Sequence, residues 1–201
     1  MVSEFTGKSA VRLARSAVEA HVRKLPMSDR RLPAGLRKPI GAFVTLNSFP
    51  SGDLRGCMGI QIPRGTLGEA IVEVSESVIR DPRFLPVTEE ELDRVTVEVS
   101  LLTPPKPLRI RYPKDYLTAI EIGRHGLILK VGNRSGTLLP QVPVEAGWST
   151  EEYLSHVSMK AGLLADAWTD EAATLYTFES EIFSEKTPRG AVIRHRLKEK
   201  R

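Results

Sequence analysis

From Val95 to Leu101 the side chains alternate: Val95, Val97, Val99 and Leu101 are apolar, and Thr96, Glu98 and Ser100 between them are polar. A period of two is the mark of a strand with one face buried and the other polar. The run Thr103-Pro-Pro-Lys-Pro107 follows directly. Prolines donate no ladder hydrogen bonds, so the strand ends there and the chain passes to a new element or lobe. A half-covered sheet with a forced break near mid-chain is the frame into which the rest must fit.

Helical spacing precedes that strand. Val11, Ala14, Val18, His21/Val22 and Leu25 predict an amphipathic helix from about Thr6 to Lys24, ended with help from Pro26. Met27 to Pro39, rich in Arg, Pro and Gly, reads as a loop. Gly41–Leu46 reads as a buried strand, and Asn47–Asp53 turns the chain into a second strand over about Arg55–Ile62, making a hairpin. Thr66-Leu-Gly-Glu69 has capping-box form, and Leu67, Ala70, Ile71, Val74, Val78 and Ile79 trace one face of a helix ending near Asp81-Pro82.

Beyond the prolines, a short helix is expected around Lys114–Ile120. A second hairpin pairs Gly126–Val131 with Thr137–Pro140 around the turn Gly132-Asn-Arg-Ser-Gly136. Ser149-Thr-Glu-Glu152 opens a capped helix to about Ala161, with Gly162 as C-cap, and Thr174–Phe183 reads as one last strand.

Composition limits the function classes. The 201 residues, 41% hydrophobic and 27% charged, suffice for a packed core without metal or disulfides. No apolar run approaches the about 18 residues of a membrane span, and the N-terminus lacks a secretory apolar stretch, so no membrane partner and a cytoplasmic location are expected. Cys57 is the sole cysteine, which rules out an intramolecular disulfide and a thiolate zinc cluster. The four histidines are scattered without HxH or HExxH spacing, so neither a metal nor another cofactor is expected. The net charge of +4 is weighted to residues 186–201, read as a solvated basic C-terminal tail that still allows a phosphate-rich partner.

Leu54-Arg-Gly-Cys-Met-Gly59, Asp81-Pro-Arg-Phe84, Glu98-Val-Ser100, Gly123-Arg-His-Gly126, Leu139-Pro140 and Gly147-Trp148 occur in this order. Together they resemble the AMME syndrome candidate gene 1 protein family, over about Gly41–Phe183. Met58 stands where that family is expected to carry isoleucine, a volume-conserving change. The resemblance implies one AMMECR-type domain over residues 1–201. Its architecture would be α/β (α+β), in two unequal lobes, each with sheet and helices, around a cleft lined partly by the cysteine loop. It implies no established activity. It also implies company with radical-SAM and dioxygenase-like proteins, as in a shared modification pathway.

The chemistry is argued from the residues. Gly56 and Gly59 flank Cys57, and glycines there let backbone N–H groups approach a ligand, as an oxyanion or phosphate nest requires. Arg55 adds a cation that would favour the thiolate. The competing reading makes Cys57 a small buried hydrophobe. A cysteine nucleophile needs a base, for which His125 is the first candidate and His156 the second; a loop histidine satisfied by backbone is the alternative. Glu98 and Asp81 are candidate acid–base carboxylates, with Arg83 to hold an anion, or else Arg83 pairs with Glu98 or Asp81 as a structural ion pair. Trp148 and Trp168 read as core rather than base-stacking platforms.

Three functions follow. The chain is an enzyme acting on an anionic or nucleotide-like small molecule through Cys57, His125 and Glu98, with Arg55, Gly56, Gly59, Asp81 and Arg83 binding the ligand. Alternatively it is a non-catalytic binding or adaptor module for a protein partner, or a nucleic-acid-associated protein using its basic tail.

Overall fold

The computed structural model describes residues 2–27 and 32–195. In chain order the elements are α1 (Glu4–Val22), β1 (Gly41–Ser48), β2 (Leu54–Ile60), α2 (Leu67–Val78), β3 (Val95–Leu102), β4 (Lys106–Pro107), α3 (Tyr116–Ala119), β5 (Gly126–Val131), β6 (Arg134–Leu138), α4 (Gln141–Ala146), α5 (Thr150–Lys160), β7 (Thr174–Phe178), β8 (Ser180–Glu185) and β9 (Val192–His195). The fold is mixed α/β, with the chain divided at the proline run into two unequal units, Met1–Leu102 with Glu181–Arg196, and one built on Thr103–Ser180.

The first unit holds a five-stranded sheet in the order β2-β1-β3-β8-β9. β1 pairs antiparallel with both β2 and β3. Val44, Leu46, Val97, Val99 and Phe183 point to one face and pack with Ala10, Val11, Ala14 and Val18 of α1 and Leu67, Ile71, Val74 and Val78 of α2. Ser3 caps α1, and Thr66 with Glu69 forms the expected capping box on α2. A charged pair is buried in this core. Arg15, 6% exposed, donates to both carboxylate oxygens of Glu185, to Leu92 O (3.2 Å) and to Val95 O (2.6 Å). Glu185 in turn accepts from Val97 N (3.0 Å), so the pair ties α1 to β3 and β8 with its hydrogen-bonding capacity met inside the core.

The second unit holds a four-stranded sheet in the order β4-β7-β5-β6. Leu127, Leu129, Leu138 and Leu175 pack there with Tyr153, Leu154 and Val157 of α5 and with Trp168. Ser149 and Glu152 form the second capping box, and Gly162 follows α5 with φ +72°.

Four expectations are corrected. The last strand is two: it breaks at Glu179, and β7 and β8 enter different sheets. The hairpin turn is the pair Gly132-Asn133, and Arg134–Leu138 is already strand. There Gly136 lies against the α5 backbone, where a Cβ would press on Val157 O and Ala161 N. The loop expected over Met27–Pro39 contains a 3₁₀ turn at Ala34–Arg37, while residues 28–31 lie outside the described residues. The basic tail is structured as far as His195: β9 pairs with β8, Arg189 bonds Glu19 and Asp93, and Arg194 bonds Glu181. The rest of the tail, 196–201, lies outside the described residues.

Candidate functional site

Cys57 sits mid-strand on β2, opposite Thr45 of β1, which in turn is opposite Glu98 of β3. Directly opposed residues of antiparallel strands share a face, with Cβ atoms about 4.5–5.5 Å apart. Cys57, Thr45 and Glu98 therefore form a row on the sheet face turned away from α1 and α2. All three are half-buried. Thr45 Oγ1 donates to Cys57 Sγ at 3.3 Å.

β2 is an edge strand, and its outer side at Cys57 is capped by side chains. Asp81, 1% exposed, accepts from Cys57 N through Oδ2 (2.9 Å). Arg83 donates to both Asp81 oxygens (3.0 and 2.7 Å) and to Cys57 O (3.4 Å). The Asp–Arg pair thus supplies the acceptor and donor that a neighbouring strand would supply. Asp81 also takes Arg83 N (3.1 Å), which holds the turn after α2 in place. The Arg83 guanidinium is the main reason the Asp81 carboxyl lies far below the usual carboxylate range, with the Cys57 and Arg83 amides adding to it.

The glycines are explained by close approaches. A Cβ at Gly56 would meet Val78 O, at the end of α2, at 2.9 Å, and one at Gly59 would run into the Phe43 ring across the ladder. Nor is the Cys57 amide free for a ligand, because Asp81 already holds it.

Both arginines are neutralised. Arg55 forks onto Glu91 (2.6 and 3.0 Å) and donates to Leu85 O (2.9 Å), while Arg83 forks onto Asp81. Their guanidinium carbons lie 5.8 and 5.6 Å from the Phe84 ring centroid. The pairing of Arg83 with Asp81, one of the two foreseen, is present.

Burial pushes the Cys57 thiol above its ordinary pKa; the Thr45 hydrogen bond and the Arg83 charge oppose this, and the Glu98 and Asp81 charges add to it. The resting group is a neutral thiol, which is a weak nucleophile.

His125 belongs to the second unit, where its Nδ1 accepts from Glu121 N (3.1 Å) and its carbonyl accepts from the Tyr153 hydroxyl (3.2 Å). Burial lowers its pKa. That is a loop histidine satisfied by backbone, with Nε2 carrying the proton in the neutral ring. His156, the second candidate, stacks on Trp148 with centroids 3.7 Å apart. Trp168 is core, as expected, and Trp148 is half-buried under that imidazole.

Thr45 was not among the expected site residues, although Thr45 and Asn47 alternate with the buried Val44 and Leu46 and so hint at a polar stretch on the other face. Among the described residues no cluster of histidine, cysteine and carboxylate side chains is arranged to hold a metal ion. A groove of about 890 Å³ on the outer side of α1 and α2, floored by Leu13, Leu36 and Val72, contains none of the expected residues.

Comparison with known proteins agrees with the sequence motifs. The AMMECR1 family model matches residues 11–183. Protein MJ0810 of Methanocaldococcus jannaschii is 47% identical over 95% of this chain and 96% of its own length, and protein MK0488 of Methanopyrus kandleri is 45% identical over 92% and 91%. The crystal structure of the uncharacterized protein PH0010 from Pyrococcus horikoshii superposes with a TM-score of 0.91 at 42% identity, covering 98% of this chain and 99% of that one.

Proposed function

The chain belongs to the AMMECR1 family, and from that premise and the geometry around Cys57 we propose that it is a binding protein, with the Cys57–Thr45–Glu98 face as its recognition surface. The observation that carries this is the setting of Cys57. Its amide is held by a buried carboxylate, its sulfur accepts the Thr45 hydroxyl, and Glu98 lies next along the row. A thiol nucleophile needs an adjacent base and a positive field. Here the nearby carboxylates disfavour the thiolate and the nearby cations are already paired.

This favours the adaptor or ligand-binding alternative over an enzyme that attacks an anionic substrate through Cys57. Iodoacetamide alkylation of Cys57, followed against pH in the folded protein and in urea, tests it. The proposal expects slower alkylation in the folded state and a profile displaced to higher pH than in urea. A folded-state profile displaced below the urea reference would restore the nucleophile.

A further inference from the structure

The segment from Lys106 to Lys114 contains Lys106, Arg109, Arg111 and Lys114 and no carboxylate. The register of the four-stranded sheet decides where these side chains stand. Lys130 is opposite Thr174 on one side and Ser135 on the other, and Ile128 is opposite Tyr176 and Thr137. Pro107 is also opposite Tyr176, and the bond from Leu108 N to Leu175 O (2.8 Å) carries the β4–β7 ladder one residue further, which brings Arg109 opposite Thr174. Opposed residues share a face. Two rows therefore cross all four strands: Pro107, Tyr176, Ile128 and Thr137, then Arg109, Thr174, Lys130 and Ser135. Leu108, Leu127, Leu129 and Leu175 have the other parity and pack with α5 and Trp168, so the rows lie on the face turned away from that core. Arg109, Thr174, Lys130 and Ser135 are all exposed, as is Arg111, which alternates with the core residue Ile110.

These cations are unneutralised. Arg124 of the same unit pairs with Glu121 and Glu179, and Arg189 and Arg194 are paired in the other unit. Among the described residues no ion pair joins Arg109, Arg111, Lys114 or Lys130 to a carboxylate, although Asp115, Asp170 and Glu171 lie in the flanking turns. Asp115 and Asp170 accept from the amides of Tyr112 (3.0 Å) and Ala172 (2.8 Å). Aromatic rings stand between the charges. Lys130 Nζ is 5.3 Å from the Tyr176 ring centroid, and the Arg111 guanidinium carbon and Lys114 Nζ are 5.4 and 5.9 Å from that of Tyr112, which is 51% exposed.

Unpaired cations with hydroxyl donors suit phosphate oxygens, and interleaved aromatic rings suit unstacked bases. A duplex major groove admits a helix or a two-stranded ribbon, which a four-stranded face is too broad to enter. A membrane surface takes up large apolar side chains, and this face offers it cations, hydroxyls and tyrosines. We propose that this face of the second unit binds single-stranded nucleic acid, with Arg109, Arg111, Lys114 and Lys130 on the phosphates, Thr174 and Ser135 donating to phosphate oxygens, and bases stacking on Tyr112 and Tyr176. The site shares no residue with the Cys57 face and stands or falls independently of it.

The test is fluorescence anisotropy of the whole chain with a labelled adenylate oligomer of about 12 nucleotides, with the same strand paired to its complement, and with phosphatidylserine vesicles as a competitor. The expected result is saturable binding of the single strand that weakens with salt at a log–log slope of about 3, from about 0.7 per cation. Arg109→Ala and Lys130→Ala should each lower that slope by about 0.7. Tyr112→Ala and Tyr176→Leu should weaken binding about tenfold at an unchanged slope; should Tyr176→Leu fail to fold, the exposed Tyr112 carries the stacking test. Lys38→Ala, an exposed cation of the first unit, should alter neither quantity. No binding of the strand, or a slope unmoved in the Arg109 and Lys130 variants, would overturn the proposal. Equal affinity for the duplex would overturn the single strand as ligand, full affinity in the tyrosine variants would overturn stacking, and displacement of the oligomer by the vesicles would make the face a membrane-binding surface instead.

Discussion

Asp81 is the residue on which the Cys57 corner depends. It is buried, it caps the Cys57 amide, and the Arg83 guanidinium holds its carboxyl well below the ordinary range. A carboxyl with a folded pKa below its unfolded value of about 3.9 contributes stability that is present above that value and is lost as pH falls toward the folded pKa. Urea unfolding should therefore show wild-type stability falling as pH drops below about 4. Asp81→Asn should lower stability at neutral pH and flatten that acid limb. An unchanged limb in the variant would assign the acid sensitivity to other carboxylates. The motif around Asp81 was visible in the sequence, and so was a pairing with Arg83. Its role on the Cys57 amide was not, because 24 residues separate the partners and no periodicity links them.

At the scale of elements, local signals were the legible ones. Both capping boxes and the alternation of β3 read directly, since each is set by residues within one turn or one strand. What was missed depends on neighbours distant in sequence. Gly136 looks like a turn glycine, yet it stands in β6 because the α5 backbone leaves no room for a side chain. Gly136→Ala should cost about 1–3 kcal/mol, the usual penalty of overpacking, measurable by urea unfolding; a neutral change would mean that α5 shifts freely. The buried Arg15–Glu185 pair was equally invisible, with its partners 170 positions apart. Arg15→Leu alone should destabilise by about 3–5 kcal/mol because it strands a buried carboxylate. Arg15→Leu with Glu185→Leu should recover a large part of that loss. A double variant as unstable as the sum of the singles would show that the two residues act independently.

For the whole molecule, the proline run after β3 did mark the boundary between the two units, whereas the chain's return to the first sheet was hidden at β8 by the unread break at Glu179 and at β9 by the basic composition of the C-terminal region. Lys186, Arg189 and Arg194 suggested a solvated tail, but Arg189 and Arg194 are ion-paired within the first unit and β9 completes its sheet. Deleting residues 186–201 should lower the melting temperature by about 4 °C or more, the shift expected for a loss of 1–2 kcal/mol in a chain of this size. A truncated chain that melts with the full-length protein would return β9 to the status of a tail.

The account turns on a thiol held neutral by the charges and burial around it. A pH titration of the Cys57 ¹³Cβ resonance, in the wild type and in Glu98→Gln, measures this site directly. The account predicts a folded-state midpoint above that of the urea-unfolded chain, moving down when the Glu98 charge is removed. A wild-type midpoint below the unfolded reference, unmoved by Glu98→Gln, would contradict it and identify Cys57 as an activated nucleophile.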